Sequence, residues 1–169
     1  MSPELTLMNR VAVMVSECEA FQEWTGMDEE VDPAAAALAR VWVECAHKDE
    51  FTANGCILQS EGIRIERQGW THWHTWPKGR VFLVFHGTLT SAGDMTQMLT
   101  SFMESIRAIK EEFMTLALDP SYVQFRTVEE MIGPEFDDEE LERVTASDAV
   151  GTFDLRWGFF CELMGVGDA

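Results

Sequence analysis

The stretch Arg80–Leu89, RVFLVFHGTL, is apolar on both faces from Val81 to Phe85. A strand of that kind belongs in the middle of a sheet, covered on both sides. Its neighbours in the sequence alternate instead. In RVWVECAH (40–47), Val41, Val43 and Cys45 oppose Trp42, Glu44 and Ala46, which is the period-2 signature of a half-buried strand. Beyond the turn-like TANG (52–55), two short candidates follow, CILQ (56–59) and IRIERQGW (63–70), the latter alternating Ile63 and Ile65 against Arg64, Glu66 and Gln68. YVQFRTV (122–128) and TFDLRWGFF (152–160) complete the strands, and the last sets Phe153, Leu155, Trp157 and Phe159 against Asp154, Arg156 and Gly158.

Helical spacing frames these strands. Ser2, Pro3 and Glu4 make a helix start, with a capping hydroxyl, a proline at the first position and an acid in the first turn. Leu5, Met8, Val11, Ala12, Val15 and Cys18 then trace one apolar stripe, which Thr25 and Gly26 are expected to end. After the acidic MDEEVD (27–32), Asp32 and Pro33 open a short alanine-rich helix to about Ala39. Asp94, with Gln97 three residues on, reads as a capping box. Behind it Met95, Met98, Leu99, Phe102, Met103, Ile106, Ile109, Phe113 and Met114 share the broad face of a long helix closed by Asp119 and Pro120. Its methionines are expected to fill core rather than to form an adaptable binding surface.

Strands that are not regularly interleaved with helices predict an α+β fold. The expectation is a mostly antiparallel sheet of about five to six strands, packed against the N-terminal helix and the long helix after the central strand. Residues 1–169 read as a single domain, with a hairpin at 70–80 and an acidic projecting loop at 133–149.

Thirty acids against twelve bases give a formal charge of −18 and a pI near 4.4. A chain this anionic has no general attraction to phosphates, so nucleic-acid grip is disfavoured. Cys18, Cys45, Cys56 and Cys161 form no CxxC pair and follow no apolar secretory segment, and they are expected to be reduced and mostly buried. No run of eighteen apolar residues predicts a membrane span. A GxSxG elbow, a GxGxxG loop and a P-loop are all missing from the sequence.

Two segments are candidates for function. In GWTHWHTWPKGR (69–80), three tryptophans and two histidines fall within twelve residues. On a strand His72 and His74 would lie roughly 7 Å apart, within reach of one metal, yet no third ligand has recognisable spacing. The preferred reading is a hairpin tip whose rings, Trp70, Trp73 and Trp76, cover a sheet edge or a neighbouring subunit, with PKG punctuating the chain before the central strand. The second segment crowds Glu135, Asp137, Asp138, Glu139, Glu140 and Glu142 into eight residues without the ligand order or glycine of an EF-hand. These acids read as a solvated loop that could face a partner or a channel.

CEAFQEWTG (18–26), followed by AAAALARVWVEC (34–45), resembles the tail terminator group of small tail-completion proteins in tailed phages. The order of elements continues the likeness through RVFLVFHG and the long helix to GPEF (133–136) and GTFDLRWGF (151–159). The tryptophan and histidine segment at 70–76 and the acidity depart from that pattern. The resemblance implies a virion structural protein with neither catalysis nor cofactor, made as folded subunits in the host cytoplasm. Such subunits form a ring, typically of six, on the head-proximal end of the tail tube. The implied partners are copies of itself, the tail tube protein and the head–tail connector or stopper protein, with double-stranded DNA passing through unbound and no membrane involved. The tryptophans at 70, 73 and 76 would then lie between subunits. The alternatives are a head-completion protein of the neck and a small cytosolic metal-binding enzyme using His72 and His74.

Overall fold

The computed structural model describes residues 3–43, 54–61, 64–68, 70, 72–76, 79–90, 94–136 and 152–164. Helices α1 (Pro3–Glu17), α2 (Glu19–Thr25) and α3 (Pro33–Leu38) precede strands β1 (Val41–Val43), β2 (Gly55–Ser60), β3 (Arg64–Gln68), β4 (His72–Trp76) and β5 (Arg80–Thr90). The long helix α4 (Met95–Leu116) is followed by β6 (Phe125–Phe136) and β7 (Thr152–Leu163). Five strands form one sheet in the order β1-β2-β5-β7-β6, and β3 pairs with β4 in a separate ribbon. Among the described residues only the β1–β2 pairing is parallel. The fold is therefore α+β with a mixed, mainly antiparallel sheet, and RVFLVFHGTL is its middle strand.

Helix caps follow the sequence closely. The Asp32 carboxylate accepts from Ala35 N–H at 3.1 Å, and that of Asp94 accepts from Thr96 and Gln97 N–H at 3.0 and 3.3 Å. The first helix does not run unbroken to Thr25. It stops at Glu17, Cys18 turns extended, and α2 begins anew. A restart exposes fresh N–H groups, and the Glu112 carboxylate of α4 satisfies two of them, accepting from Glu19 at 2.7 Å and Ala20 at 2.9 Å. The break is thus held by a residue far away in the chain.

The four described helices face one side of the sheet. Met8, Val11, Val15 and Phe21 from the N-terminal helices, and Phe102, Ile106, Ile109 and Phe113 from α4, are buried with Leu58, Leu83, Phe85, Leu155, Trp157 and Phe159. Of the α4 methionines, Met95, Met98 and Met103 pack at the core margin and Met114 is exposed.

Two boundaries differ from the sequence reading. Strand β6 continues through Gly133–Phe136, so the first four residues assigned to the acidic loop are sheet. Register shifts on either side of Ile132 absorb the irregular GP pair. As the outermost strand, β6 also tolerates Pro134, which lacks a ladder donor. The remainder of that loop, 137–149, lies outside the described residues. The hairpin is likewise displaced: its strands are 64–68 and 72–76, so Trp70 is at the tip, while Pro77 and Lys78 of PKG lie outside the described residues.

Candidate subunit interface

β5 gives the sheet two unlike faces. Its inward positions Val81, Leu83 and Phe85 are within 1% of full burial. The opposite positions are Phe82, Val84 and His86, and the pairing carries their rows across the sheet. One row is Trp42, Ile57, Val84 and Gly158; the next is Gln59, Phe82 and Phe160. Trp42, Ile57, Phe82 and Phe160 remain half-buried, and among the described residues no helix or strand packs over them. Among the described residues, the helices that cover the central strand lie on one side of it, while on the other side Val84 and His86 are buried and Phe82 is half-buried.

What shields the outer face is its own aromatic rings. Phe82 and Phe160 stack with centroids 4.3 Å apart and planes at 14°, and the Arg80 guanidinium sits 4.3 Å above Phe160. Glycines let rings lie flat on the backbone: a Cβ at Gly158 would come within 2.6 Å of the Phe82 ring, and one at Gly55 within 2.1 Å of Trp42. Arg80 also meets Glu61 at 3.8 Å and Glu129 at 3.4 Å, placing a charged rim at one end of the stripe. Apolar centre and polar rim are the anatomy of a protein interface.

Further along this face, register aligns Gly55, His86, Arg156 and Glu135. Of the predicted acids, Glu135 is therefore a strand position opposite Arg156, while Asp137, Asp138, Glu139 and Glu140 lie outside the described residues. His86 is buried, and its pKa is lowered to about 4, first by burial and then by the Arg156 charge. The imidazole is neutral at physiological pH.

The β3–β4 ribbon is the outer part of the hairpin whose inner part is β2–β5. Glu61 N–H still donates to Arg80 O at 2.9 Å, and pairing resumes at Arg64–Trp76 with one residue more on the second strand than on the first. Register sets His72 opposite Gln68, Trp73 opposite Arg67, His74 opposite Glu66 and Trp76 opposite Arg64. Neither strand packs substantially against any other described element. At the tip Trp70 is 89% exposed. The side chains of Trp73, Trp76, His72 and His74 lie outside what is described.

The helical side carries a cleft not foreseen from the sequence. Between α2, the end of β5 and the start of α4, an open cavity of about 410 Å³ is lined by Trp24, Asn54, Gln97, Met98, Ser101 and Phe102, among others, none of them charged. Asn54 Nδ2 donates to Trp24 O at 2.9 Å, fixing one wall. The only advance signal was Trp24, an aromatic just ahead of the helix-ending glycine.

Burial keeps the three described thiols protonated. Cys18, Cys56 and Cys161 are free and buried. Burial pushes the Cys161 thiol up to about 12 and raises those of Cys18 and Cys56 as well, with Glu112 and Glu17 adding to the effect at Cys18. Cys45 lies outside the described residues. Among the described residues, no three His, Cys, Asp or Glu side chains converge as metal ligands, and no helix is long and apolar enough to cross a membrane.

Comparison with known protein families finds no model that matches the chain. A search of curated proteins finds no relative.

Proposed function

We propose that the chain is a structural subunit without catalysis, which assembles with copies of itself into a ring on the head-proximal end of a phage tail tube. In this role, as a tail terminator, it halts tube growth and presents a surface to the head–tail connector. The observation that carries the proposal is the outer sheet face: a stripe of half-buried aromatic side chains on the central strands, with no described element over it. A face of that kind is stabilised when a second protein surface removes it from water. The likeness of CEAFQEWTG and its following segments to tail terminators names the kind of assembly. Strong net negative charge suits a passage for DNA, since an anionic wall repels phosphates and leaves the duplex free to slide.

The test is electron microscopy of particles made without the protein. Overlong tails lacking heads are expected. Filled heads that leak, with tails of normal length, would instead assign the chain to head completion. A metal-binding module is the second reading, favoured by one observation: register sets Glu66 opposite His74, two positions from His72. Stoichiometric zinc in a monomeric preparation would replace the structural reading with that one.

A further inference from the structure

The α2–α4 cleft is built around a tryptophan that the core holds without enclosing. Trp24 is half-buried, and its ring meets Phe21, Phe85 and Phe102 with centroids 6.0, 6.1 and 6.0 Å away. Its backbone oxygen accepts from Asn54 Nδ2 at 2.9 Å. Behind the rings β5 passes as Gly87, where a Cβ would come within 3.0 Å of Phe102 and 3.3 Å of Trp24. The indole is therefore fixed in place ahead of any encounter, which spares a ligand the cost of ordering it. Gln97, Ser101 and Thr88 border the same space of about 410 Å³ and bring amide and hydroxyl oxygens without charge.

Charge lies around the cleft and has one sign. Helix α2 and the turn after it, 19–32, carry six acids, and the cap and first half of α4, 94–106, carry Asp94 and Glu104; neither stretch has a lysine or arginine. The first base along α4, Arg107, holds its guanidinium 5.7 Å above the Trp157 ring. An anion finds no welcome here, because the Asp94 carboxylate already accepts from Thr96 and Gln97 N–H at the helix start. A cation is drawn in by the acids and meets an aromatic face with neutral acceptors.

We propose that the cleft is a docking site for a basic segment of another protein, which seats an arginine side chain against Trp24. A guanidinium stacks on the indole and donates to neutral oxygens in several directions, which the compact ammonium of lysine does less well. Its charge is balanced by acids that stay in water, so no ion pair has to be buried. A second copy of this chain is a poorer donor, since it brings its own −18 to the encounter. The site needs no ring and stands apart from the assembly reading.

The test uses a short labelled peptide with a central arginine between lysines, and the same peptide with citrulline, the uncharged isostere, in the centre. Anisotropy should show the citrulline peptide binding roughly tenfold more weakly or worse. Ser101→Arg, at an exposed position of α4, should reject the arginine peptide by a similar factor, with an unchanged urea midpoint showing that the fold is kept. Glu23→Gln with Glu104→Gln should weaken binding severalfold at low salt, and the difference should fade as salt is added. Equal affinity for the two peptides, wild-type affinity in Ser101→Arg, or no binding at millimolar peptide overturns the site and leaves the ring reading untouched. A particle mass that falls as the arginine peptide is added to the wild type, but not to Ser101→Arg, puts a second copy in the cleft and overturns the choice of partner.

Discussion

The two faces of β5 are made by adjacent residues of one strand, yet they are finished differently. Val81, Leu83 and Phe85 lie in the core beneath the helices and disappear from solvent, whereas Phe82 stacks on Phe160, itself under Arg80, and stays half-open. Apolar sequence on both sides of a strand therefore states that both faces must be dry in the working protein. It does not state that the same chain supplies both covers. One face is closed by folding; the other is the face proposed to be closed by assembly.

That contrast can be broken first by truncation. Phe85→Ala should cost about 3–5 kcal/mol in urea denaturation, as expected for a ring fully enclosed by helices. Phe82→Ala should cost the isolated subunit only about 1–2 kcal/mol, mostly its ring contacts, while weakening assembly more than folding. Equal losses from the two variants would make the outer face ordinary core.

His86 sharpens the comparison, because it marks where the outer face is already dry. Its folded pKa is depressed to about 4, below the usual 6.5, so between these values the unfolded chain binds a proton that the native chain refuses. Stability from this residue is full above pH 6.5 and falls as pH drops toward 4, by on the order of 2 kcal/mol. Denaturation at pH 7 and pH 4.5 should show a smaller loss in His86→Phe than in the wild type. An equal loss in both would mean that the imidazole titrates freely.

A smaller effect tests the folding side alone. Glu112→Ala removes the carboxylate that caps α2 and should cost about 1 kcal/mol, with assembly affected only as far as stability is. The same change also withdraws a negative charge from near Cys18, so its thiol pKa should move down, readable as a faster reaction with a thiol reagent at high pH.

Elements with a period were legible in the sequence. The stripe of α4, the caps at Asp32 and Asp94, and the alternation in β7 are local, and local patterning survives the absence of coordinates. The break at Cys18 was not legible, because its cause is Glu112, brought near only by the packing of α4. The length of β6 was hidden by glycine, proline and acids, which normally mark a loop but are tolerated on an edge strand with bulges. Of the candidate interface, Trp70 and a hairpin tip could be read from the sequence, though not the register that sets the strands at 64–68 and 72–76. The cleft could not, since Trp24, Asn54, Met98 and Phe102 come from distant parts of the chain.

The most direct measurement is native mass of the purified protein across concentration, alone and with tail tubes. A discrete closed multiple of the 19.2 kDa subunit, six copies in the simplest case, is the predicted result. A particle of 19.2 kDa at all concentrations, with the tubes left bare, would contradict the assignment of the outer face to assembly.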